Sequence, residues 1–81
     1  MTLAEAVGKR IKNLAKERNL SLYRLEENSG INHGTMSSIT SKRYRSVNLK
    51  TIVLVIRALG MTVPEFFEDE LFNLENLDID E

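Results

Sequence analysis

The chain has no cysteine among its 81 residues, which removes both a disulfide framework and any cysteine-ligated zinc site. It has one histidine, and a single imidazole cannot assemble a metal cluster, so neither a metal nor a cofactor is expected. No stretch approaches the roughly 18 apolar residues of a membrane span, and the N-terminus lacks a basic region followed by an apolar run. A soluble, cytoplasmic protein is the expectation. Eighty-one residues suffice for one domain with a modest core of four or five short helices, but not for walling off a deep cleft, so catalysis is not expected. There is no internal repeat and no low-complexity segment. Stability must come from packing, capping or a partner chain.

Bases are missing from the last quarter of the sequence. Residues 1 to 60 carry all eleven Lys and Arg against four acids (Glu5, Glu17, Glu26, Glu27), a net of +7. Residues 61 to 81 carry eight acids and no base, a net of -8, which recovers the overall charge of -1. A basic body followed by an acidic tail points to a polyanionic partner.

Five helices account for the pattern. Thr2-Leu3-Ala4-Glu5 is a capping box, and Leu3, Val7, Ile11 and Leu14 then recur on one face until Asn19 supplies a left-handed stop, giving a first helix over about 3 to 18. Ser21 caps a second helix that ends at Ser29-Gly30, and Asn32 caps a third whose inward residues, Met36 and Ile39, are three apart. Residues 40 to 47 lack an apolar period and form a loop up to the next cap, Asn48. The fourth helix spans roughly 49 to 59 with Leu49, Ile52, Val53, Ile56 and Leu59 as its stripe and Gly60 just beyond its end. Its β-branched content is compatible with a strand, but the spacing, the two caps and the length favour a helix, since a lone strand would have nothing to pair with. Thr62-Val63-Pro64-Glu65 is a second capping box, and Phe66 and Phe67 follow as core candidates. The fold class is therefore all-α.

Within this set, Leu20 to Ile39 has the character of a helix-turn-helix. Leu22, Leu25, Ile31, Met36 and Ile39 supply the contacts that pin two helices together across the Ser29-Gly30-Ile31-Asn32 turn. The outward face after Asn32 is polar and has little bulk, which leaves one helix free to enter a groove of double-stranded DNA. With Met36 and Ile39 inward, His33, Gly34, Ser37 and Ser38 face that groove and Thr35 lies at its flank. These are small groups with little base preference, since the strongly discriminating bidentate pairs come from Arg, Asn or Gln. His33 is the main candidate for a base-edge contact, to a purine N7 or O6. Gly34 lets the helix sit deep, and much of the specificity is assigned to DNA shape and to the loop after the helix. The following loop, Ser41-Lys42-Arg43-Tyr44-Arg45-Ser46, brings three cations and a phenolic hydroxyl to the start of the fourth helix, a phosphate clamp. Tyr23 reaches a phosphate from the first turn of the second helix or packs on the surface.

The order of these signals resembles the Cro/phage-repressor type of helix-turn-helix family, also called XRE or lambda-repressor-like. The residues that carry the resemblance are Leu20-Ser21, Leu25, Ser29-Gly30-Ile31, Thr35, Met36, Ile39, Asn48-Leu49-Lys50-Thr51-Ile52 and Ala58-Leu59-Gly60-Met61-Thr62. The resemblance implies a compact five-helix domain in which helices 2 and 3 read DNA, helix 3 lies in the major groove and helices 1, 4 and 5 complete the core. It also places Ser21, Asn32, Ser41, Arg43, Arg45 and Asn48 at backbone-contact positions. The chain departs from the family pattern at several points. Ala15 and Thr40 replace a buried Arg–Glu bridge, and losing both partners together costs little. Leu22 replaces a phosphate-binding glutamine, Glu26 a small alanine near the turn, and Lys42 a glycine.

Each feature has a plainer structural reading. His33 can be a solvent-exposed first-turn residue, Lys42 to Arg45 an ordinary solvated loop, and the helix 1 cations Lys9, Arg10, Lys12, Lys16 and Arg18 a solvated face. The expected organisation is a DNA-binding domain over residues 1–67 and an acidic, apolar tail over 68–81. In that tail Leu71 and Leu74 extend helix 5, while Leu77 and Ile79 alternate as an extended segment, and the whole is assigned to homodimer formation or to a protein partner. A rival placement lays it on the basic body in competition with DNA. The expected function is a sequence-specific transcriptional regulator, a repressor of bacterial, phage or mobile-element type. The alternatives are the antitoxin of a toxin–antitoxin pair and an interaction module that keeps the fold without binding DNA.

Overall fold

A computed structural model describes residues 1–41 and 47–79. Its helices are α1 (Leu3–Glu17), α2 (Leu22–Ser29), α3 (His33–Thr40), α4 (Leu49–Ala58) and α5 (Val63–Phe67), followed by two 3₁₀ turns, Glu70–Phe72 and Leu74–Asn76. The described residues contain no β-strand beyond an isolated parallel bridge between Thr2 and Asp78.

Side-chain caps decide where the helices begin. The Thr2 and Thr62 hydroxyls accept from the Glu5 and Glu65 amides, and each Glu reaches back to its threonine's N–H, so both capping boxes are complete. The Thr62 N–H and hydroxyl hold the Glu65 carboxyl below the usual carboxylate range. Ser21, Asn32 and Asn48 cap α2, α3 and α4 in the same way, accepting from Arg24, Thr35 and Thr51. The ends are backbone-coded. Asn19, Gly30 and Gly60 all sit in the left-handed region, at φ 56°, 77° and 76°. At Gly60 the following Met61 N–H reaches back to the Ile56 carbonyl, a Schellman closure of α4.

Two stripes differ from their expected phase. On α1, Ala4 rather than Leu3 takes the buried position ahead of Val7, Ile11 and Leu14, and Leu3 is 44 % exposed. On α4 the buried set is Ile52, Val55, Ile56 and Leu59, spaced i, i+3, i+4, i+7. Val53 and Leu49 fall on the opposite edge and stay exposed. The core joins these residues to Val7, Ile11, Leu14, Leu25, Ile31, Met36, Ile39 and Phe66.

The tail folds back on the body. Neither Leu71 nor Leu74 extends α5, which ends at Phe67; they lie in the two 3₁₀ turns instead. The reason is local: the Asp69 carboxylate accepts from the Leu71 N–H and opens a new turn. Phe72 closes an aromatic trio with Phe66 and Phe67, with ring centroids 6.0 Å and 4.9 Å away. Beyond the turns the chain is extended, and the Asp78 N–H donates to the Met1 carbonyl at 2.7 Å. Asp69 is thus tied to Arg10 in the middle of α1, and Asn76 and Asp78 to the chain's own amino terminus.

Candidate nucleic-acid interface

The joint between α2 and α3 is held by its own polar groups. Ser29 is buried, its hydroxyl donates to the Glu26 carbonyl and accepts from the Ile31 N–H, and Gly30 supplies the left-handed turn. Ile31 then drops into the core, and Asn32 opens α3. From that cap onward Met36 and Ile39 point inward, almost wholly buried. His33 and Gly34 are exposed, whereas Thr35, Ser37 and Ser38 are half-buried. All five lie on the part of α3 that the core leaves uncovered, and the outermost portion is its first turn.

His33 does not hang free. Its Nδ1 lies 3.0 Å from Oε2 of Glu26, and the ring remains 83 % exposed while the carboxylate is 10 % exposed. Glu26 stands where the family pattern has a small residue, and here the larger side chain reaches across the turn to the first residue of α3. The sequence carries a signal for this pair: an acid at a position expected to be small, with the chain's one histidine seven residues later.

The capping geometry also shapes the predicted phosphate contacts. Each cap uses the acceptor of its side chain, the Oγ of Ser21 and the Oδ1 of Asn32 and Asn48. What remains is the donor, a hydroxyl hydrogen or an amide NH₂ on an exposed residue. Donors beside a helix N-terminus suit an anion. Tyr23 is 67 % exposed on α2, and Ser41 is exposed as the C-cap of α3. Lys42, Arg43, Tyr44, Arg45 and Ser46 lie outside the described residues.

Helix α1 supplies one correction and one contact that the residue pattern did not reveal. Arg10 is not part of a solvated face. Its guanidinium donates to the Phe66 carbonyl (2.7 Å), the Glu65 carbonyl (3.0 Å) and the Asp69 carboxylate (3.1 Å), and it lies 5.9 Å from the Phe66 ring centroid. It ties the end of α5 and Asp69 of the tail to α1. Gly8 lets α1 lie directly on α3: a Cβ there would stand 2.4 Å from the Ile39 carbonyl oxygen. The buried bridge absent from this chain is replaced without an orphaned group, since Ala15 is buried and the Thr40 hydroxyl donates to the Met36 carbonyl at 2.9 Å.

A short turn-linked helix pair, with the second helix presenting a polar face on a five-helix scaffold, defines a helix-turn-helix DNA-binding domain. The model of the Cro/C1-type HTH DNA-binding domain matches residues 10–71, and the chain belongs to that family. No curated protein and no solved structure matches it. No helix among the described residues is long and apolar enough to cross a membrane.

Proposed function

We propose that the protein is a sequence-specific transcriptional regulator that represses by occupying an operator, and that it is not an enzyme. The observation that carries the reading is the division of α3, with Met36 and Ile39 buried and the His33–Gly34 turn open to solvent. Thr35, Ser37 and Ser38 border the groove contact. Ser21, Tyr23, Asn32, Ser41 and Asn48 hold phosphates from the rim, together with Lys42, Arg43, Tyr44 and Arg45. Such contacts fix register and carry no sequence information themselves, so base-edge contacts and DNA shape together must supply the selectivity.

The test is the salt dependence of binding to random and selected duplexes. Each neutralised phosphate adds about 0.9 to the slope of log affinity against log salt. Replacing both Arg43 and Arg45 with Ala should therefore weaken binding to every sequence and flatten the slope by about 2. An unchanged slope removes the loop from the interface, and a wild-type protein that ignores random duplex at low salt refutes DNA binding altogether.

The acting species is a homodimer in this reading, with two α3 helices on half-sites about one helical turn apart. Support comes from the tail, where Leu74 is 76 % and Ile79 57 % exposed although Asp69, Phe72 and Asp78 are held against the body. Light scattering at tens of micromolar should report a dimer that Leu74→Ser and Ile79→Ser convert to monomer. A monomeric wild type with the same two residues needed to bind a second protein favours the antitoxin reading instead.

A further inference from the structure

Glu26 is a carboxylate on a largely buried residue of α2, and the group in front of it is the Nδ1 of His33. An ionised carboxylate only accepts hydrogen bonds, so Nδ1 must donate and must carry the hydrogen. A neutral imidazole has one hydrogen to share between its two nitrogens, which leaves Nε2 with a lone pair. Because the ring is 83 % exposed, that lone pair is at the solvent side of the first turn of α3. We infer that Glu26 is a positioning residue that locks His33 in the Nδ1–H form, so that α3 reads an exocyclic amine of a base, adenine N6 or cytosine N4.

The inference rests on His33 being the base-edge residue of the proposed function. It changes what that residue selects. In the major groove the hydrogen-bond donors on the bases are the N6 and N4 amines, whereas N7, O6 and O4 accept. A histidine that reads a purine N7 or O6 needs a hydrogen on Nε2, which the contact with Glu26 withholds. The contact also orients the ring before DNA arrives, so less rotamer freedom is lost on binding. Glu26 itself touches no base and acts through His33.

The test has two readouts on the full chain. Long-range ¹H–¹⁵N correlation spectra of the DNA-free protein, taken in the buffer used for the binding selection, should show Nδ1 protonated and Nε2 bare. Glu26→Gln keeps the shape but offers an amide that can donate to Nδ1, and it should release the ring toward the Nε2–H form. Selection from a random duplex library should give the wild type a preference for adenine or cytosine at one position of each half-site. Glu26→Gln should shift that preference toward a purine acceptor by about fivefold or more, the worth of one hydrogen bond. His33→Ala should erase it. Glu26→Ala, which offers no partner to Nδ1, should also free the ring and serves if the glutamine variant does not fold. An Nε2–H ring or an imidazolium in the wild type under those conditions overturns the inference. So does an unchanged preference in both Glu26 variants when His33→Ala abolishes it. Identical sites selected by His33→Ala and wild type, with Nδ1–H confirmed in the spectra, would show instead that the base-edge reading had failed.

Discussion

Replacing Arg10 with alanine is expected to lower the unfolding free energy by about 2–4 kcal/mol, because one truncation strips three acceptors of a charged donor. For a domain of this size that is a fall in Tm on the order of 10–20 °C. The side chain is 12 % exposed and its partner carboxylate on Asp69 29 % exposed, so the pair is too sheltered to be discounted as a surface ion pair. Two of the acceptors are carbonyls at the end of α5, where a cation also complements the helix dipole. Arg10→Lys should recover only part of the loss, since an ammonium is a point donor and cannot serve carbonyls and carboxylate together as a fork does. Thermal unfolding followed by circular dichroism measures both variants. At temperatures where Arg10→Ala stays folded, its affinity for DNA should match the wild type. Lost binding with unchanged stability would place Arg10 in the interface and refute the structural role.

Whatever is encoded within a few residues was legible from the chain. Caps are contacts between i and i+3, and all five starts at Thr2, Ser21, Asn32, Asn48 and Thr62 follow from residue type alone. The same holds for the left-handed stops at Asn19, Gly30 and Gly60. The phase of α4 was less legible because Ile52, Val53, Leu54, Val55 and Ile56 are consecutive apolar residues that allow several stripes. Packing against α2 and α5 selects the one containing Val55. Arg10 was illegible for another reason. Nothing in a run of helix cations shows which one meets carbonyls 55 and 56 residues later. On α3, the exposure of His33 and Gly34 followed from the positions of Met36 and Ile39. The Glu26–His33 contact left only a faint trace, an acid where a small residue is expected, and its 3.0 Å geometry needed the three-dimensional turn.

Two glycine-to-alanine substitutions in α1 and α3 should give opposite results. In Gly8→Ala the new methyl would meet the Ile39 carbonyl oxygen at 2.4 Å, with Thr40 Cα at 3.5 Å, and backbone at that distance cannot swing aside. Alanine's better helix propensity returns up to about 1 kcal/mol. The overlap costs about 1–3 kcal/mol, and relieving it means lifting α3 away from α1. Stability and DNA affinity should therefore fall together, because the displaced element is the helix that the proposed function places in the groove. Gly34 differs in its surroundings: a Cβ there would find only the Asn32 Oδ1, at an ordinary 3.4 Å, and the residue has no left-handed φ that would require glycine. Gly34→Ala should leave the melting temperature unchanged or slightly raised. Its affinity for selected DNA should drop about tenfold, or 1.4 kcal/mol, as the methyl holds the first turn of α3 off the base edges. Calorimetric melting and fluorescence anisotropy on the same two proteins separate the cases. If Gly34→Ala binds as tightly as the wild type, the first turn of α3 does not approach the bases closely, and the glycine serves neither the fold nor the groove.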